Sequence, residues 1–213
     1  LSGDGGDEVF GGYRKYLGYR WRVLGNILPI QLRNKLSNLL SENKDNRYGE
    51  YSRRLKRFLS SFSKDNLEMH VNLSDQLQLN EYEKLFGLKD NIVKTTLSKI
   101  NDLYSDKINS SLAMDISFSL PSDMLVKVDR MSMANSIEVR SPFLDKSLLE
   151  YSFSIPGNLK VGFFKGKKIL KEAFKKDLPS WYLQLPKKGF EVPLSNWLKG
   201  DLKYLVEESS DNK

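Results

Sequence analysis

The chain has 213 residues, 39% hydrophobic and 29% charged, which suits one or two folded domains with an ordinary core and excludes a disordered polymer. Lys and Arg number 34 against 27 Asp and Glu, and the resulting +7 suits a nucleic acid, a membrane surface or a small anion as partner. With no cysteine and one histidine, disulfides, thiolate metal sites and multi-histidine metal sites are excluded, and a cytoplasmic location is the expectation. No apolar run is long enough to cross a bilayer and no signal peptide opens the sequence, so no membrane partner is expected. The lone histidine, His70, reads as a packed or surface residue rather than a catalytic one.

The first sixteen residues carry the densest chemistry. Gly3, Gly5 and Gly6 surround Asp4, and Asp7 and Glu8 follow where a helix should begin, because Val9, Phe10, Tyr13 and Tyr16 recur at helical spacing. Glycines let backbone amides approach a ligand, and amides at a helix start favour anions. Three carboxylates would repel a phosphate unless a hard cation such as Mg²⁺ stood between them. On the residues alone two readings stay open: a metal–phosphate site, or an ordinary N-cap in which Asp4 or Asp7 satisfies free amides. The spacing fits neither a Walker A loop, nor a dinucleotide fingerprint, nor an EF-hand. Leu1 stands in what reads as the middle of a strand-to-helix turn, so a further part is expected upstream.

From Val9 to Leu24 aromatic and basic residues alternate, predicting an amphipathic helix whose aromatics pack inward while its basic residues snorkel. Gly25 and Pro29 mark a break, and Pro29 suits the first turn of the next helix. Tyr48, Tyr51, Leu55, Phe58, Leu59 and Phe62 predict another helix, with Arg53, Arg54, Lys56 and Arg57 as a solvated basic face. Residues 66–86 read as one helix or two, divided near Asn72–Asp75, and 92–104 as a further helix.

Pro121 to Asn135 reads as a helix with Met124, Leu125, Val128 and Met131 on one face. Asp123, Lys127 and Arg130 fall on another, either as a surface ladder of ion pairs or as one wall of an anionic-substrate site. Alternating Ile137, Glu138, Val139 and Arg140 suggest a short extended piece, with Pro142 holding Ser141 out of helical geometry and Asp145 capping a helix over 146–153. A helix follows Lys165-Gly166-Lys167-Lys168 and ends near Pro179; residues 185–194 form a glycine-hinged lysine loop, and 201–208 a short helix before a frayed end.

Ser2-Gly-Asp-Gly-Gly-Asp-Glu-Val-Phe-Gly-Gly-Tyr13 resembles the signature in the synthetase domain of glutamine-dependent asparagine synthetases. The run from Asp123 through Asp129-Arg130-Met-Ser-Met-Ala134 to Pro142-Phe-Leu-Asp145 resembles a second block of that family, and Lys187-Lys-Gly-Phe-Glu-Val-Pro193 a third. The resemblance implies a mainly α chain, the helical C-terminal part of an α/β adenine-nucleotide α-hydrolase-like (PP-loop ATP pyrophosphatase) domain whose parallel sheet lies mostly upstream. Residues 1–213 would then be a single helical unit, with 1–16 as nucleotide and metal loop, 121–145 as pocket wall and 185–194 as lysine loop.

The activity implied is asparagine synthesis from aspartate through a β-aspartyl adenylate, with ATP and Mg²⁺ and with ammonia from an upstream glutaminase domain. It implies no nucleic-acid partner and allows a homodimer for the full-length protein. Carried over by position, Asp4 and Lys187 would be catalytic, Ser2, Gly3, Gly5 and Tyr13 would serve the nucleotide, and Asp7 would ligate Mg²⁺. Glu8, Asp123 and Arg130 would support the pocket or the substrate. Some relatives have Glu where this chain has the shorter Asp4. The family's Ser-Gly-Gly-x-Asp-Ser pyrophosphate loop and glutaminase cysteine are not in this sequence, so the chain alone is expected to be inactive. Two other readings stand beside this one. The same fold could adenylate a different carboxylate, as in β-lactam synthetases, lasso-peptide cyclases or surface-sugar amidotransferases. Or the basic helices could make a non-catalytic module for RNA or an acidic partner, which predicts salt-sensitive binding.

Overall fold

The computed structural model describes residues 1–25, 29, 31, 32, 35, 52, 55, 56, 58, 59, 61, 65–74, 91–185 and 193–211. Among these there is no strand, as a mainly α reading requires. In order they form α1 (Gly6–Phe10), α2 (Arg14–Gly25), α3 (Asn66–Ser74), α4 (Asn91–Asp102) and α5 (Lys107–Met114). A π-helical segment (Asp115–Leu125) leads into α6 (Val126–Met133), then a 3₁₀ turn (Pro142–Leu144), α7 (Lys146–Ser154), α8 (Gly157–Lys160) and α9 (Lys168–Ala173). Helices α10 (Ser180–Gln184), α11 (Leu194–Lys199) and α12 (Lys203–Asp211) complete them. The positions described within 52–61 are helical, in line with the pattern there; the remainder of 48–62, including Arg53, Arg54 and Arg57, lies outside the described residues, as does 75–90.

The chain divides into two compact units, Leu1–Leu183 and Gln184–Lys213. In the first, α2, α3, α5 and Val161 bury Tyr16, Tyr19, Met69, Ile108 and Leu112 in one cluster, flanked by Tyr13, Leu17, Leu73 and Phe153. A second cluster joins Leu67, Leu97 and Met114. Burying side chains of this size contributes about 1.5–3 kcal/mol each, so these clusters hold the helices together. Tyr16 and Tyr19 turn inward as the alternating pattern predicts, and so cannot serve as exposed stacking platforms. The second unit is the packed pair α11 and α12.

Four expectations need correction. The helix expected to end near Pro179 stops at Ala173 and gives way to a turn. The helix expected from Asp7 through Tyr16 is broken: Gly11 takes φ +70°, its amide caps α1 at the Asp7 carbonyl, and α2 restarts at Arg14. Glycine reaches that φ at the least steric cost, and the turn lets Gly166 lie against the Gly11 carbonyl. The helix expected to start at Pro121 begins earlier, and Pro121 sits inside the π-helical segment. Proline has no amide hydrogen and crowds the carbonyl four residues back, and a widened turn accommodates both. The last helix runs to Asp211 rather than fraying at Ser209.

Candidate functional site

The amino-terminal loop is assembled against the second recognised block. The Ser2 amide donates to the Arg140 carbonyl at 2.9 Å, and the Ser2 and Ser141 hydroxyls are 2.8 Å apart. Ser141 is extended, as its following proline demands, and Pro142–Leu144 then turns so that Leu144 and Phe143 cover Gly5 and Gly6. Gly5 has φ +82° and a Cβ there would collide with Leu144, so glycine is required twice over. Asp145 accepts the Ser147 and Leu148 amides at 2.9 and 3.2 Å, the cap expected of it, and fixes where α7 begins.

Helix α1 then sorts its two acids. Asp7 is half-buried and folds back over Gly12, where any Cβ would strike its carboxylate. Lys167 reaches it at 2.8 Å. That lysine comes from the segment 165–168, whose Lys167 amide donates to the Phe10 carbonyl at 3.2 Å. Glu8 points the other way, 4% exposed, and accepts the Tyr13 hydroxyl at 2.7 Å. Burial pushes the Glu8 carboxyl above its ordinary value, opposed by the Tyr13 hydrogen bond. Burial, and then the Glu8 carboxylate, pushes the Tyr13 phenol well above its ordinary range, so it stays a donor.

Ser2, Gly3, Asp4 and Gly5 therefore lie on the loop, Asp7 and Glu8 on α1, and Tyr13 in the turn that follows it. Asp4 is half-buried and Gly3 exposed, with no other chain atom near the place a Cβ would take. Asp123 and Arg130 are exposed on the π-helical segment and α6, and among the described residues they form no ion pair with each other, with Lys127 or with the loop. The expected ladder is therefore not formed, and Lys127 instead meets the Met124 sulfur at 3.3 Å. Lys187 lies outside the described residues.

Among the described residues no group of three or more His, Cys, Asp or Glu could cage a metal. Asp4 and Asp7 are the kind of donor set that suits an ion bringing most of its ligands with it. Mg²⁺ held by one or two carboxylates together with substrate phosphates fits that set.

The sequence reading missed Lys167 and a buried network beside the loop. Asp115, 1% exposed, accepts Lys15 at 2.6 Å and the Tyr16 hydroxyl; His70 stands 3.5 Å away and bonds the Ser111 hydroxyl at 2.9 Å. His70 is thus a packed histidine; burial, offset in part by Asp115, lowers its pKa to about 4 and keeps it neutral.

No solved structure matches the chain significantly. Among curated proteins, "Asparagine synthetase [glutamine-hydrolyzing] 1" of Bacillus subtilis is 31% identical over 98% of this chain and 33% of its own length. "Asparagine synthetase [glutamine-hydrolyzing] 3" of the same organism is 36% identical over 36% of this chain and 14% of its own length. "Amidase chry2" of Gibberella zeae is 24% identical over 98% of this chain and 34% of its own length. The chain spans about a third of the curated relatives that it matches along nearly all of its residues. The asparagine synthase family matches residues 1–213, every residue of the sequence, and the chain belongs to that family.

Proposed function

We propose that the protein carrying this chain forms asparagine from aspartate and ammonia, driven by ATP, and that the loop Ser2–Tyr13 is where the ATP polyphosphate is held. The observation that carries this reading is the convergence of two distant segments on the acidic glycine loop: the Arg140–Leu144 block at Ser2, Gly5 and Gly6, and the Lys167 ammonium at Asp7. The fold proposed with it is the PP-loop synthetase domain, with these helices flanking the nucleotide site. Ammonia is supplied, in this reading, by glutamine hydrolysis elsewhere in the protein.

A carboxylate is a poor electrophile at neutral pH and must be activated. One carboxylate oxygen of aspartate attacks the α-phosphorus of ATP, the bond to the β-phosphate oxygen breaks, and pyrophosphate leaves. Ammonia then attacks the acyl carbon, loses a proton, and AMP departs. Mg²⁺ arriving with ATP would neutralise the polyphosphate, with Asp7 as its protein ligand and Asp4 near it. Lys167 holds a positive charge at the same carboxylate, where charge on leaving pyrophosphate needs stabilising. On the family resemblance, Asp4 is assigned the acid or base for amine attack and Lys187 the role of a second cation. Asp123 and Arg130 are assigned the outer wall of the pocket, and Gly3 and Gly5 the close backbone approach to the nucleotide.

The test is AMP and pyrophosphate release by the full-length protein with Mg²⁺–ATP and a panel of carboxylic acids. Aspartate should be turned over in preference to the others, with asparagine as product. Release with another acid in its place would assign the same chemistry to a different acceptor, the reading that the amidase-named relative makes worth testing. Release with none would overturn the proposal.

A further inference from the structure

Outside the loop, one constellation of buried charge serves no step described so far. Asp115 sits where α5 stops being an ordinary α-helix and the wider π-helical turns begin. Its side chain is 1% exposed, and a buried carboxylate is retained only when its oxygens are matched by donors. Both hydrogen-bond donors come from α2, Lys15 Nζ at 2.6 Å on Oδ1 and the Tyr16 hydroxyl on Oδ2, while His70 Nε2 of α3 stands 3.5 Å from Oδ1. Lys15 also donates to the Ser74 hydroxyl at 3.0 Å, so α2, α3 and the start of the π-helical segment are tied at one point.

The tie continues toward the loop. The Lys15 ammonium lies 5.8 and 5.5 Å from the centres of the Tyr13 and Tyr16 rings, and those rings pack 5.9 Å apart. Tyr13 stands just before α2 and donates to Glu8 at 2.7 Å, and Glu8 is the neighbour of Asp7. The α1-to-α2 turn contains Gly11 and Gly12, which resist bending least of all residues. A turn of two glycines does not hold two helices at a fixed angle unaided; the 165–168 segment restrains it from the α1 side, through the Lys167 amide on the Phe10 carbonyl, and the network lies on its α2 side.

We propose that Asp115 is a positioning residue for the acidic loop: by pinning Lys15 and Tyr16 it fixes the start of α2, and through Tyr13 and Glu8 it holds Asp7 at the polyphosphate site. The proposal deepens the reading of the loop as a polyphosphate site and rests on it for its functional half. Its structural half is independent, and the experiment reads the two apart.

Amide hydrogen exchange is followed in the full-length protein for wild type, Asp115→Asn and Tyr16→Phe, with and without Mg²⁺–ATP. The Gly6, Val9 and Gly12 amides close the loop, donating to the carbonyls of Gly3, Gly5 and Asp7 at 3.2, 2.8 and 2.8 Å. They should exchange about tenfold faster in both variants, while Ser147 and Leu148 under the Asp145 cap keep wild-type rates. In steady-state kinetics the KM for Mg²⁺–ATP should rise while that for aspartate holds. If Asp115→Asn does not fold, Tyr16→Phe, which removes one hydroxyl, decides the matter. Wild-type exchange at the loop in Tyr16→Phe, or acceleration spread equally over the α7 amides, would overturn the inference. Failure of Mg²⁺–ATP to slow these amides in the wild type would instead count against the polyphosphate reading, leaving the positioning result legible.

Discussion

Lys160 ends α8 with no exposed surface; its ammonium lies 4.5 Å from the centre of the Phe153 ring, and it has no hydrogen-bond acceptor among the described residues. Burial lowers its pKa to about 8 from 10.5, with the Asp106 carboxylate working the other way. Below pH 8 folded and unfolded chains both carry the proton, and folding bears the full cost of burying the charge. Between pH 8 and 10.5 the folded chain sheds it first, so this residue's contribution makes the protein more stable as pH rises through that window. Lys160→Met removes the cost and keeps the packing. Its stability advantage over wild type in urea titrations should be largest near pH 7 and shrink toward pH 10.5. Parallel pH profiles for the two proteins would show that the ammonium is not held as described.

Among the elements, α5 depends on one side chain in front of it. Asp106 Oδ1 accepts the Ile108 and Asn109 amides at 2.9 and 3.1 Å, and Oδ2 accepts the Gly157 amide at 2.7 Å, so one carboxylate caps α5 and anchors the start of α8. Asp106→Ala should cost about 2 kcal/mol, roughly one for the cap and one for the bond to Gly157, read as a lower denaturation midpoint. Asp106→Asn should recover part of it, because an amide oxygen can still cap. A loss below about 0.5 kcal/mol for the alanine variant would mean that neither bond matters in solution. Elements are also where sequence reading and structure part company. Asp145 was legible as a cap because Pro142 held Ser141 extended just upstream and a helical pattern followed. The π-helical segment was not, because Pro121 reads as a helix start and widened turns leave no periodic mark over so few residues. The break at Gly11 was hidden because Val9, Phe10, Tyr13 and Tyr16 keep helical spacing across it.

Across the molecule, the candidate site is made by segments distant in sequence converging on a short loop. Its acids, glycines and Tyr13 were legible because they are contiguous and chemically unusual. Lys167 was not, since Lys165-Gly166-Lys167-Lys168 reads as a solvated turn until Gly166 is seen against Gly11. Asp115 and Lys15 are far apart in the chain, and no local pattern announces their pairing. The same geometry assigns the work: Glu8 is committed to Tyr13 and buried, while Asp7 faces a cation, so Asp7 should be the more sensitive of the two to loss of charge.

The most direct test is aspartate-dependent exchange of labelled pyrophosphate into ATP by the full-length protein, comparing wild type with Asp7→Asn at matched folded fraction. Wild type should exchange label only with Mg²⁺ and aspartate present, and Asp7→Asn should lose about a hundredfold or more, as expected for removing a group that holds transition-state charge. Exchange by Asp7→Asn at close to the wild-type rate would contradict the account, because the polyphosphate would then be held somewhere other than this loop.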